Sequence, residues 1–156
     1  MVNGNIEADN LAANAVTTAK IADGAVTPEK RAGGFKVGSF TPSAGTGNKP
    51  ITGVGFRPKG VIFFGLIPSN SNQGIFSGGA YDGSNEFLSV GAARITSTSG
   101  NYTISSTSSC IRVSVFSSGS ESILMLGTGV SLDADGFTID FTTNGTPTPV
   151  GYIAFG

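Results

Sequence analysis

General acid–base work near neutral pH and most zinc sites depend on histidine or cysteine. This chain holds no His and one Cys. Cys110 sits in an alternating apolar pattern, where a lone thiol behaves as a small core residue, and a single cysteine makes no intrachain disulfide. Carboxylates are then the remaining candidates for catalysis. Asp133-Ala-Asp-Gly136 has the opening of a calcium loop, but the further oxygen ligands and the closing Glu are missing, so a polar turn is expected. Asp135 and Asp140 form the one conceivable carboxylate pair for glycoside hydrolysis. Alternation with Phe137, Ile139 and Phe141 turns Asp140 to solvent instead. No glycine-rich turn opens a helix, so no phosphate cradle is expected. We expect no catalytic, cofactor-binding or metal-ligating residue. Tyr81, Tyr102 and Tyr152 could stack on sugars, and scattered tyrosines also serve a core or an interface. Asn101-Tyr-Thr103 and Asn144-Gly-Thr146 match glycosylation sequons.

Composition narrows the partners. The chain has 156 residues, 24 of them Gly, and Gly, Ser and Thr together exceed a third of it. Charged residues are 12% and the net charge is −1. Disorder needs low hydrophobicity and high net charge; 11 Phe and a mean hydropathy of +0.15 argue for a folded chain. No basic cluster marks a nucleic-acid partner. The longest apolar run, 60–67, is far short of a membrane span. The opening MVNGNIEADN lacks the basic and apolar regions of a signal peptide.

These residues must be positioned by two unlike segments. In residues 1–34, apolar residues recur every five positions: Ile6, Leu11, Val16, Ile21 and Val26. Steps of five scatter around an α-helix and flip faces on a strand, so neither makes a stripe. The segment is expected to be an extended or kinked arm with short helical turns. One turn is readable, with Thr27 capping, Pro28 at the first helical position and Gly33 ending it. The hydrophobic return from five aliphatics falls short of the backbone entropy of about 25 residues. The arm therefore needs copies of itself, the body or a partner surface. A disordered tail and a pentapeptide-repeat coil are the competing readings.

Residues 35–156 read as an all-β domain, a β-sandwich or jelly roll of roughly 8–10 short antiparallel strands. Strand patterns cover 35–40, 51–56, 61–67, 74–81, 86–95, 102–106, 110–116, 122–130, 137–141 and 150–155. Asp82-Gly83, Asp135-Gly136 and Asn144-Gly145 supply turns. Two runs, 61–67 and 123–126, are apolar on both faces and should be doubly covered. Phe63, Phe64, Leu124 and Leu126 are thus candidates for core or for a trimer interface.

The arm's Ala15-Val-Thr-Thr-Ala-Lys-Ile-Ala-Asp-Gly-Ala-Val-Thr27 resembles repeats near the N-termini of phage fibre proteins. Gly55-Phe-Arg-Pro-Lys-Gly-Val-Ile62, Asp135-Gly-Phe-Thr-Ile-Asp-Phe141 and Gly151-Tyr-Ile-Ala-Phe155 are similar to small β domains of phage structural proteins. The resemblance implies a homotrimeric virion-surface protein. Its arm would dock on a major capsid protein or a tail protein, and its β domain would project. The absence of a long shaft favours a capsid decoration protein or short head fibre. The alternative is a tail fibre or tail tip that binds a host-surface glycan or receptor.

Overall fold

Period-two patterns bounded by Gly, Pro, Asn and Asp build a protein of strands. The computed structural model describes residues 11–22, 25–26, 33–66, 73–94, 102–117 and 120–156. Ten strands follow in order: β1 (Phe35–Phe40), β2 (Gly47–Thr52), β3 (Gly60–Leu66), β4 (Gln73–Tyr81), β5 (Glu86–Arg94), β6 (Tyr102–Ser106), β7 (Ile111–Ser117), β8 (Ser120–Asp133), β9 (Gly136–Asn144) and β10 (Val150–Phe155). They form two antiparallel sheets: six strands in the order β1-β10-β3-β4-β5-β6, and four in the order β2-β9-β8-β7.

The chain crosses between sheets after β1, β2, β6 and β9. Between crossings, β3 to β6 and β7 to β9 run as meanders within one sheet. A jelly roll would alternate sheets through that stretch, so the sandwich alternative describes the chain. The last strand lies inside its sheet, between β1 and β3, and Gly156 N–H donates to the Gly34 carbonyl at 2.9 Å.

The sheets close on the inward residues of β9 and their neighbours. Phe137, Ile139 and Phe141 alternate along β9 and are fully buried. Phe137 is the hub: its ring centroid lies 5.4 Å from Phe63, 5.2 Å from Tyr152 and 5.9 Å from Phe40, all edge-on. Such arrangements favour the ring quadrupoles as well as burying area. Cys110, Ile111, Val113 and Met125 complete the core from the four-stranded side.

Two expectations are corrected by local chemistry. A strand was expected over 51–56, but β2 ends at Thr52. Gly53 and Gly55 adopt left-handed backbone (φ 81° and 91°), which breaks the ladder. The strand instead extends back through Pro50, which an edge strand tolerates. The 123–126 run was expected to be covered on both faces. A register shift sets Val113 opposite Met125 and Ser114 opposite Ile123, so Leu124 is the extra residue of a bulge. Bulging places consecutive apolar residues without a second covering layer.

In the arm, tight turns recur every five residues. Ala15 N–H donates to the Ala12 carbonyl, Lys20 to Thr17 and Ala25 to Ala22, at 2.9, 2.9 and 3.0 Å. Thr18–Lys20 is a 3-10 turn, and Asn14 takes the left-handed conformation (φ 64°) that Asn tolerates. The five-residue sequence period is thus a turn period. The expected turn over 27–33 and the Ile6 position fall outside the described residues, apart from Gly33.

Candidate functional surfaces

Asp82, Asp133 and Asp135 are engaged with the fold. Asp135 accepts hydrogen bonds from the Gly55 and Gly53 amides at 2.6 and 3.0 Å, and its own carbonyl accepts from Val54 N–H at 3.2 Å. The carboxylate thereby staples the loop after β2 to the β8–β9 turn. Those two amides hold its carboxyl below the usual carboxylate range. Asp133 accepts from the Ser131 and Thr138 hydroxyls, each at 2.7 Å, and these lower its pKa too. The Asp133–Gly136 stretch is a polar turn whose oxygens already have protein partners. Asp140 lies on the outward side of β9, paired in register with Asn48 and Thr128. Asp82 caps the β4–β5 hairpin, accepting from Asn85 Nδ2 and from the Asn85 and Ser84 amides at 2.9, 2.6 and 2.9 Å. These bonds lower its pKa. Among the described residues no group of three His, Cys, Asp or Glu could hold a metal ion.

These shifts set a pH profile. Asp82, Asp133 and Asp135 have folded-state pKa values below their unfolded ones. Their stabilisation is present above the unfolded value, about 3.9, and is lost as pH falls through the lowered folded values. Burial raises Tyr81 and Tyr152, with Glu86 and Asp135 respectively adding to the effect. Their stabilisation holds below about pH 10 and is lost as pH rises through the raised values. With no His to titrate between, the melting temperature should be flat from about pH 5 to 8 and fall below about pH 4. A thermal-melt series with a step near pH 6.5 would contradict this.

Tyr81 and Tyr152 do not form a sugar platform. Tyr81 and Tyr152 are both buried, 5% exposed, in the core. Their faces are spent on protein: the Tyr152 ring packs on Phe137, and the Tyr81 ring lies where a side chain on Gly129 would be, 2.5 Å from its Cβ position. The proposed glycan contacts at Tyr81 and Tyr152 are therefore corrected to core positions. The Tyr102 side chain lies outside the described ones. The Asn144 sequon is also spent, since Asn144 is buried and its amide donates to the Ser43 and Gly45 carbonyls at 2.7 and 3.1 Å. Cys110 is fully buried, and burial pushes its thiol pKa up. It is a core residue, as its pattern suggested.

The four interface candidates part company. Phe63 points into the core. Phe64 points the other way, half-buried on the outer side of the six-stranded sheet. Leu124 packs against the core, and Leu126 sits in register with Arg112 and Thr143 on the other sheet. In the arm, Leu11, Val16, Ile21 and Val26 are 40–57% exposed, so no described part of the chain buries them.

The two outer faces differ in kind. The four-stranded sheet presents hydroxyls, Asp140, the exposed aliphatics Ile123 and Val130, and an ion pair, Arg112 Nη2 to Glu121 Oε2 at 2.6 Å. That pair covers the buried Ser114 hydroxyl. Burial raises the Glu121 carboxyl, but hydrogen bonds from Ser114 and Arg112 outweigh it and leave the pKa lowered. The six-stranded sheet presents aromatic and aliphatic groups. Register places Val37, Ile153, Ile62, Ala80 and Phe87 in one row across five strands. Phe35 beside Phe155, and Phe64 and Phe76 farther along, extend it. Phe35, Val37, Phe76 and Phe87 are 55–63% exposed. Sequence reasoning found the double-sided run of β3 but missed this face. The signal was there: Phe35/Val37 and Ile153/Phe155 repeat at period two, out of phase with the core residues. No family model, curated protein or solved structure matches the chain.

Proposed function

We propose that the chain is a non-enzymatic structural subunit of a phage virion. It is homotrimeric and attaches to the capsid through its N-terminal arm, as a decoration protein or short head fibre with the β domain outward. The observation that carries this reading is the arm itself. Its repeat sets one turn and one apolar residue every five positions, and the described apolar residues stand exposed. A segment that repeats its hydrophobic groups without burying them is suited to a partner surface. The resemblance of that repeat to phage fibre N-termini names the partner as a capsid or tail protein. Asp82, Asp133 and Asp135, held by backbone amides and hydroxyls, support a structural rather than a catalytic role for those carboxylates.

Deleting residues 2–30 should abolish attachment to particles while the body keeps its β-sheet circular dichroism and cooperative melt. Co-sedimentation with particles reads the first, and a thermal scan reads the second. Truncated protein that still sediments with particles would remove the anchoring role. The tail-tip alternative loses the two buried tyrosines as sugar platforms.

A further inference from the structure

The arm is one exposed apolar element; the outer face of the six-stranded sheet is a second, and the arm's role does not account for it. Monomeric proteins rarely expose large contiguous apolar patches. The five strands that carry the apolar row, about 4.8 Å apart, and six residues rising about 3.3 Å each span roughly 24 by 20 Å, on the order of 500 Å² in projection. A standard interface buries about 800 Å² per partner. The face is smaller than that, but its apolar residues are contiguous across five strands rather than a scatter of single residues.

Its chemistry narrows the occupant. None of the described outward residues of β1, β10, β3, β4, β5 and β6 is charged. Charge enters only at the rim, where Lys59, Asp82 and Glu86 border one end. An apolar centre with a polar rim is the anatomy of a protein–protein interface. A charged surface or a nucleic acid would find no charge there to pair with.

The face is also self-complementary in relief. Phe155 and Phe87 flank a notch of about 210 Å³ floored by Gly60, Val61 and Ala80. The floor is low because Gly60 has no side chain; a Cβ there would lie 2.7 Å from the Phe155 ring. Four residues away on the same strand as Ala80 stands Phe76, 58% exposed. One face therefore carries both an aromatic knob and an aromatic-walled notch, about 13 Å apart along β4.

We infer that further copies of this chain cover the outer face of the six-stranded sheet, with Phe76 of each copy seated in the Phe87–Phe155 notch of another. This rests on the reading of the chain as a self-associating structural subunit, and it gives that association its surface. In a cyclic arrangement each knob enters the next copy's notch, so no notch is left open. Three copies would match the proposed trimer.

The test uses the full chain. Light scattering and sedimentation at micromolar concentration should give a dimer or trimer. Phe76→Thr combined with Val37→Thr keeps strand-forming residues and should weaken association at least thirtyfold, roughly the effect of losing one interface hot spot, and give monomer. Thr142→Lys, on the outer side of β9, should leave the mass unchanged. If the double variant folds poorly in thermal scans, Phe87→Thr reads the same surface from the notch side. A monomeric full chain, or an oligomer indifferent to these variants, would overturn the inference. An oligomer dissolved by Leu11→Ser, Val16→Ser and Ile21→Ser together, but untouched at the sheet, would also overturn it. That outcome leaves the structural reading standing with the arm as its glue. A sheet-dependent oligomer that fails to bind particles does the reverse: it upholds this surface and removes the virion role.

Discussion

Gly79→Ala should destabilise the body by more than about 3 kcal/mol and lower the melting temperature by roughly 10 °C or more. Gly79 lies on β4, in register with Phe63 and Leu88, and faces inward. A Cβ there would fall on the Cys110 carbonyl oxygen and lie 3.0 Å from the Phe87 carbonyl oxygen. Both obstacles are backbone, so no rotamer change relieves them. Cys110 cannot retreat easily, because its N–H donates to the Gly127 carbonyl at 3.0 Å and so ties it to β8. The two sheets meet here at backbone distance, where overpacking cannot relax. Gly91→Ala is the matched control: it lies on β5, and its Cβ would meet nothing within 4 Å. It should change stability by no more than about 0.5 kcal/mol. Equal melts for the two variants would show that β4 does not approach Cys110 as described.

Phe137→Ala should cost about 3–5 kcal/mol, the range for emptying a buried aromatic site. Phe137 is fully buried, and the rings of Phe40, Phe63 and Tyr152 converge on it from β1, β3 and β10. It is thus the point where the four-stranded sheet grips the six-stranded one. The neighbouring rings are held by their own strands, so the cavity should collapse only in part. Native domains hold only about 5–15 kcal/mol in all, so either change consumes a large share of the total. In urea the Phe137→Ala midpoint should fall by more than about 1 M with an unchanged slope. A midpoint within 0.3 M or so of the parent's would contradict the hub role.

Much of the strand framework was legible, and the reasons are local. β1, β6 and β10 have the bounds that alternation and turn residues predict. The Asp82-Gly83 and Asp135-Gly136 turns were readable because their side chains do the turning. β2 was not readable, because Gly47-Asn-Lys-Pro50 has loop composition and becomes a strand only by pairing with β9. The double-sided run in β8 misled because a bulge at Leu124 shifts its register against β7. No local pattern records a bulge set by a partner strand.

Site reasoning failed where burial decides. Tyr81, Tyr102 and Tyr152 look alike in sequence, yet register turns Tyr81 and Tyr152 inward. The exposed face was hidden for a related reason. Phe76 and Phe87 lie on strands whose other face is also apolar, and only the sheet order shows that Val37, Ile62 and Phe87 share one surface. The arm's period of five does not suit a simple amphipathic helix or strand. The structure adds that the period is carried by recurring turns.

The proposed role, a structural subunit of a virion, is tested most directly by counting the chain in purified particles of a phage whose genome carries its gene. Quantitative mass spectrometry against the major capsid protein gives the number. The account predicts hundreds of copies per particle, in a multiple of three. A handful would move the subunit from the capsid to the tail. Particles that are complete and infectious yet contain none of the chain would contradict the account.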